Sequence, residues 1–339
     1  MTGEPLLRIR NLRVEFATDD GIVTAVENAS LELDEGQVVG IVGESGSGKS
    51  VTALTVLGLT RGPGVRIEGE ILYRGRNLLE LKERELQRIR GKEIAMIFQD
   101  PMTSLNPVHR VGDQIAETLH AHEDISRSAA RRRVVELLGE VGIPEPARRA
   151  DDYPHEFSGG MRQRAMIAMA LSCNPSILIA DEPTTALDVT IQAQILDLID
   201  RLQESFGSAV VLITHDLGVV ADIADTVNVM YAGRVVESAA TGRIFTGPQH
   251  PYTWGLLDSI PRIDGPRPKR LRPIEGLPPS LADLPPGCTF APRCPHSFAA
   301  CSDEPDLEAR SLAGHLDRCW LSQPQRAAIR DGAVEASAG

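Results

Sequence analysis

Polar and apolar residues alternate through residues 6–16 (LLRIRNLRVEF) and 23–33 (VTAVENASLEL), the period of antiparallel strands that rest one face on a core. The run VVGIV at 38–42 is apolar throughout and is followed by GESGSGKS, Gly43 to Ser50, and then by the apolar-periodic stretch VTALTVLGL. A buried strand is thus predicted to turn through a glycine-rich loop into a helix. Residues 68–75 (EGEILYRG) read as a further strand, and the dense charge of 82–93 as a solvated helix face. IAMIFQ reads as a buried strand ending at Gln99. From about residue 105 to 172 the pattern becomes helical and charged, and strands return with SILIADEP, AVVLITH and VNVMYAG around the helix IQAQILDLIDRLQESF. The expected fold is an α/β sheet with a β-rich opening and an inserted helical subdomain.

Eight prolines between Pro261 and Pro286 end this regime, because that density is incompatible with helix or central strand. The segment reads as a stiff connector or extended wrap that leads into a cysteine-bearing tail. Residues 331–339, DGAVEASAG, are expected to be a frayed, disordered end. The chain of 339 residues suits one large domain, 1–260, and a smaller extension, 261–330.

Composition is ordinary, with 42% hydrophobic and 24% charged residues, and the net charge of −12 speaks against a surface built to neutralise nucleic-acid phosphates. There is no secretory signal pattern and no apolar run of about 18 residues, so the chain is expected to be soluble and cytoplasmic. Four of the five cysteines lie beyond residue 285, which suits a metal or cluster site in a reducing compartment better than a disulfide framework.

Three patterns carry chemistry. In residues 43–51 the glycines Gly43, Gly46 and Gly48 let the backbone of Glu44, Ser45 and Ser47 aim successive N–H groups at one oxyanion. Lys49 reaches β/γ-phosphates, the Ser50 hydroxyl can ligate Mg²⁺, and the helix entered at Val51 adds its partial positive charge. Asp181 and Glu182 end the apolar run ILIA, where a carboxylate can order Mg²⁺ and its neighbour can act on the attacking water. His215 ends another buried strand. Gln99 could ligate Mg²⁺, orient water, or merely satisfy backbone groups. In FSGGMRQR, Ser158 and two glycines open a second helix N-terminus suited to an anion.

In this order and spacing the chain resembles the ATP-binding subunits of ABC transporters over about residues 6–260. GESGSGKS is similar to their Walker A, Gln99 to the Q-loop, Ser158, Gly159, Gly160 and Met161 to the signature, ILIADEP to Walker B, Asp188 to the D-loop and His215 to the H-loop. The resemblance implies a RecA-like P-loop NTPase core and a head-to-tail dimer whose ATP is closed over by the partner's signature helix. It also implies Glu182 polarising water, His215 at the γ-phosphate, and Mg²⁺ held by Ser50, Gln99 and Asp181. Phe16 stands where the family stacks an aromatic on adenine, with a core-facing role as the alternative. Met161 departs from the family's usual glutamine, but the backbone donors and Ser158 remain.

FQDPMTSLNP, FSGGMRQR, DEPTTALDVTIQAQI and GLPPSL with GCTFAPRC resemble the D-type ATPase of oligopeptide/dipeptide importers. That resemblance implies a second, F-type ATPase subunit, two integral-membrane permease subunits, an extracytoplasmic solute-binding protein, and a place on the cytoplasmic face of the membrane. Nickel or another small solute is the alternative cargo, and a soluble ABC ATPase or a P-loop kinase the alternative class. Cys288, Cys294, Cys301 and Cys319 are separated by five, six and seventeen residues. Four thiolates at these spacings fit a [4Fe–4S] cluster or zinc, with His296 and His315 as substitute ligands for zinc. The resemblance to the subgroup, whose members have such a set, implies an iron–sulfur cluster, with zinc or unligated thiols as the alternatives. Cys173, placed on the signature helix, reads as a small core residue.

Overall fold

The computed structural model describes residues 4–19, 21–100, 104–185, 189–259 and 274–338. Strands β1 (Leu7–Thr18) and β2 (Gly21–Leu33) pair antiparallel, and β4 (Val65–Tyr73) and β5 (Arg76–Asn77) complete a four-stranded sheet in the order β2-β1-β4-β5. The second sheet has the order β11-β12-β10-β9-β3-β8-β7-β6 among the described residues. Its strands are β3 (Val38–Val42), β6 (Ile94–Ile97), β7 (Ile177–Asp181), β8 (Ala209–Thr214), β9 (Thr226–Tyr231), β10 (Arg234–Ala240), β11 (Glu308–Leu312) and β12 (His315–Asp317). The five strands β9, β3, β8, β7 and β6 are parallel, which brings their carboxyl ends to one edge. β6 stops at Ile97, two residues before Gln99, so Gln99 sits on a loop rather than in the ladder.

Strand alternation divides the interior into two cores. In β3, Val39 and Ile41 face the antiparallel sheet and helix α1 (Lys49–Val56), whereas Val38 and Val42 face the other side. β7 and β8 divide in the same way, which is why these runs are apolar throughout. The antiparallel side also receives α2 (Glu83–Ile89). The opposite side receives the inserted helices α3 (Val111–His122), α4 (Arg127–Glu140) and α6 (Gly159–Leu171), then α7 (Val189–Phe206) and α8 (Leu217–Ile223), while the short α5 (Pro146–Arg149) buries no side chain. Local signals set the starts of these helices. Ser126, Ser158 and Asp216 each accept a backbone N–H from the first turn of the helix they precede. Cys173 lies just beyond the α6 C-cap Ser172; it is buried, and burial raises its thiol pKa, as suits a core residue.

The extension is more integrated than a connector and tail. After α9 (Thr241–Thr246) and α10 (Pro251–Asp258), the cysteine-bearing loop leads to β11 and β12, and β12 pairs with β10 and so lengthens the main sheet. α11 (Gln323–Ala338) then runs through residues expected to be disordered. Its alanines favour helix, and Arg326 anchors its first turns in the interior.

Few apolar side chains are available here, so buried polar groups hold the extension. Fully buried Glu237 accepts the backbone N–H groups of Gln249 (2.6 Å) and His250 (3.0 Å) and lies 2.7 Å from Nε2 of His315. His315 is therefore engaged by Glu237 and does not line the cavity that the cysteines ring, which corrects its assignment as a substitute metal ligand. Asp317, also fully buried, takes a bidentate pair from Arg326 at 2.7 and 3.0 Å.

Removing one partner of such a pair strands a buried charge. Arg326→Met is expected to destabilise the fold by about 3–5 kcal/mol, as read by urea unfolding. The double variant Asp317→Asn with Arg326→Met should recover much of that loss, and equal stability of the single and double variants would show that the pair does not hold the extension.

Candidate functional site

The phosphate loop connects β3 to α1 and is held in place by close backbone approaches. Gly43 has φ 155°, and a Cβ there would stand 2.1 Å from the carbonyl oxygen of Met230. Gly48, with φ 98°, would meet the Ala25 carbonyl at 2.5 Å. Only glycine fits either position. Gly233 N–H donates to the Ser47 carbonyl at 3.0 Å, so the turn between β9 and β10 supports the loop from below.

Lys49 is 5% exposed, and its ammonium donates to the carbonyls of Gly43 and Glu44, both at 2.9 Å. Two of its three protons are thus used to shape the loop and one remains for an anion. Burial lowers its pKa, against the raising influence of Glu182, Asp181 and Glu44. A phosphate would act in the same direction as those carboxylates and favour the charged form.

The registers Val42↔Thr214 and Asp181↔Ile213 align the ends of β3, β8 and β7, and so place Walker B and the H-loop beside the phosphate loop. Ser50 Oγ donates to Asp181 Oδ1 at 3.0 Å. Burial raises the Asp181 pKa, partly offset by that hydrogen bond. Hydroxyl and carboxylate together are a hard-oxygen pair suited to Mg²⁺. Glu182, with φ 46°, is turned out of the strand direction, and its carboxylate accepts from Gln99 Nε2 at 2.9 Å and from Thr185 Oγ1 at 2.8 Å. His215 Nδ1 lies 3.5 Å from the other carboxylate oxygen, and its ring is largely open to solvent.

These observations gather Lys49, Ser50, Asp181, Glu182, Gln99 and His215 at one sheet edge. Gln99 donates its amide N–H to Glu182, which orients that carboxylate and leaves the Gln99 amide oxygen as the atom that could face a cation. Thr185 was not singled out in the sequence, although its place three residues after Glu182 puts it within one turn. Phe16 is partly buried against the antiparallel core and stands opposite Val23, which lines the cavity beside the phosphate loop. Asp188 lies outside the described residues.

Ser158 and Gly159 are exposed at the start of α6, where Ser158 Oγ accepts the Met161 N–H at 3.3 Å. A Cβ on Gly160 would stand 3.1 Å from Ile191, so α7 approaches this turn closely. Met161 packs on the helical core. The helix start that bears the signature is therefore accessible from outside the chain.

Cys288, Cys294, Cys301 and Cys319 all line one small cavity of about 20 Å³, together with His250 and His296. Backbone pairing of Cys288 N–H with the Cys301 carbonyl, at 3.0 Å, brings two of them together. Burial raises the thiol pKa of Cys288, to about 12 for Cys294 and to about 11 for Cys319. His250 has its pKa lowered to about 3 by burial, and its Nδ1 accepts the Tyr252 N–H at 3.1 Å. Among the described residues no group of three or more His, Cys, Asp or Glu side chains is placed to hold a metal ion. The lining is four thiols with two imidazoles beside them, donor types that an iron–sulfur cluster or zinc takes.

Residues 26–185 match the ABC transporter family model, and residues 236–301 match the model for the oligopeptide/dipeptide transporter C-terminal region. The chain is 51% identical to the oligopeptide transport ATP-binding protein OppD of Haemophilus influenzae, covering 94% of this chain and 98% of the relative. Identity is also 51% to the dipeptide transport ATP-binding protein DppD of Bacillus subtilis, covering 96% of each. The ATP-binding cassette MJ0796, solved as a dimer in a post-hydrolysis state with ADP and Pi, superposes with a TM-score of 0.63 at 30% identity, covering 69% of this chain and 98% of that one. Phosphate loop, paired carboxylates, exposed signature helix and C-terminal region all coincide with these matches, and the chain belongs to the ATP-binding subunits of ABC transporters, in the oligopeptide/dipeptide group.

Proposed function

We propose that this chain is the ATP-hydrolysing subunit of a peptide importer, driving uptake of oligopeptides or dipeptides from the cytoplasmic face of the membrane. The observation that carries the reading is the meeting of Ser50 with Asp181 and of Glu182 with Gln99, Thr185 and His215 at the mouth of one phosphate loop. No helix among the described residues is long and apolar enough to cross a membrane; in this reading translocation is the work of two separate permease subunits fed by an extracytoplasmic binding protein. The names of the OppD and DppD relatives support peptides as the cargo.

In this reading the N–H groups of the loop and Lys49 bind the β- and γ-phosphates, while Phe16 borders the adenine. Ser50, Gln99 and Asp181 would hold Mg²⁺, which would supply positive charge to the phosphate oxygens. Glu182, oriented by Gln99 and Thr185, accepts the proton of the attacking water, and His215 donates to the γ-phosphate. Ser158, Gly159, Gly160 and Met161 close over the ATP of a second ATPase subunit, an F-type relative, with Asp188 at the seam. Two ATP molecules then hold the pair shut, and loss of the γ-phosphates releases it. Glu182, His215 and Gln99 form the catalytic set, and residues 43–51 the cradle. The four cysteines hold a [4Fe–4S] cluster, which would tie together a loop poor in apolar residues.

A pull-down of the tagged chain that recovers integral-membrane permeases, with loss of peptide uptake on deletion, is the expected result; recovery of ribosomes or DNA would assign a soluble ATPase instead. Glu182→Gln should retain ATP binding while turnover in the assembled transporter falls by about a hundred- to ten-thousand-fold, and unchanged phosphate release would remove Glu182 from catalysis. Anaerobically purified protein should contain iron and acid-labile sulfide and absorb broadly in the visible range. Cys294→Ser should abolish that absorption, and a colourless, iron-free wild type would eliminate the cluster.

A further inference from the structure

Arg293 belongs to the cysteine-bearing loop, next to Cys294, yet its guanidinium lies on the phosphate loop. Its two terminal nitrogens donate to the Glu44 carboxylate at 2.6 and 3.1 Å, across 249 residues of chain. Nε donates to the Glu275 carbonyl at 3.0 Å, and a terminal nitrogen also reaches the Tyr231 hydroxyl at 3.4 Å. The side chain is only 5% exposed, so its geometry is enforced on several sides. On the other side of Glu44, its backbone N–H donates to the Tyr252 hydroxyl at 2.9 Å. Tyr231, Tyr252 and Phe290 form an aromatic cluster with ring centroids 4.6–5.4 Å apart, which roots this contact in the main core. The same stretch of the extension also borders the site. Pro278, Pro279 and Leu281, together with Val23, Glu44 and Ser47, line a cavity of about 340 Å³ beside the loop.

An acidic side chain inside a loop that receives a triphosphate is a liability, because its charge repels the ligand. Arg293 cancels that charge with the bidentate geometry that a guanidinium offers and an ammonium does not. We propose that Arg293 is a positioning residue of the ATP site, so that the C-terminal extension, and not the cassette alone, sets affinity for ATP by neutralising and orienting Glu44. The inference rests on the ATP reading given above and deepens it.

The test is titration of a fluorescent ATP analogue into the purified full-length chain, with Lys49→Ala as the control that removes phosphate binding. Arg293→Met should weaken binding by about tenfold, in line with an uncompensated carboxylate beside the triphosphate, and the loss should shrink as salt screens it. Glu44→Gln should tighten binding, because Arg293 then faces the phosphates alone. Glu44→Gln combined with Arg293→Met should return affinity to within about threefold of wild type, a rescue that loss of packing alone would not produce. Arg293→Lys keeps the charge and should lose less than Arg293→Met, which guards against misfolding of the neutral variant. Wild-type affinity in Arg293→Met, or a double variant no better than that single one, would overturn the proposal while leaving the ATP reading intact. Failure of the wild type to bind the analogue at all would overturn both.

Discussion

The site depends on how tightly a glycine loop is wedged between two other stretches of backbone. Gly43 lies against the Met230 carbonyl and Gly48 against that of Ala25, with no room for a Cβ at either. The loop's shape is thereby imposed from outside as well as by its own sequence. β3 supplies the starting point, buried on both faces, and α1 carries the chain away with unsatisfied N–H groups at its start. Because β7, β8 and β3 run parallel and in register, every strand-end residue is delivered to this loop without further construction.

The extension solves a different problem. With a long proline-rich approach and few large apolar side chains, it cannot be held by hydrophobic burial alone. Instead β12 joins the main sheet, Asp317 and Arg326 pair with each other, and Glu237 is satisfied by His315 and the backbone N–H groups of Gln249 and His250. Such pairs contribute to register more than to raw stability, since each charge is tolerated only in the one arrangement that completes its hydrogen bonds. The result is a second layer of structure that reaches back to the cassette at Glu44 and at the Tyr231–Tyr252 cluster.

Local chemistry was legible because it is written in short spacings. The glycines of residues 43–48, the Asp181–Glu182 pair and the Ser158 cap each lie within one turn or strand end, and the structure places them as the patterns indicate. Long-range partnerships were not. Nothing near Gln99 in the sequence pointed to its bond with Glu182, and His315 was grouped with the cysteines and pairs with Glu237. In each case a side chain with several plausible acceptors was decided by a neighbour that is remote along the chain.

By itself the sequence determined the phosphate loop, the order of strands and helices up to about residue 232, and the strand-end position of the carboxylates, because glycine's backbone freedom and hydrophobic periodicity act over a few residues at a time. Only the tertiary structure decided which hydrogen-bonding partner each polar group takes, that β11 and β12 extend the main sheet, and that Arg293 meets Glu44. Those outcomes depend on burial: once water is excluded, a charge or amide must bind whatever group packing has brought within reach, and that group is not encoded nearby.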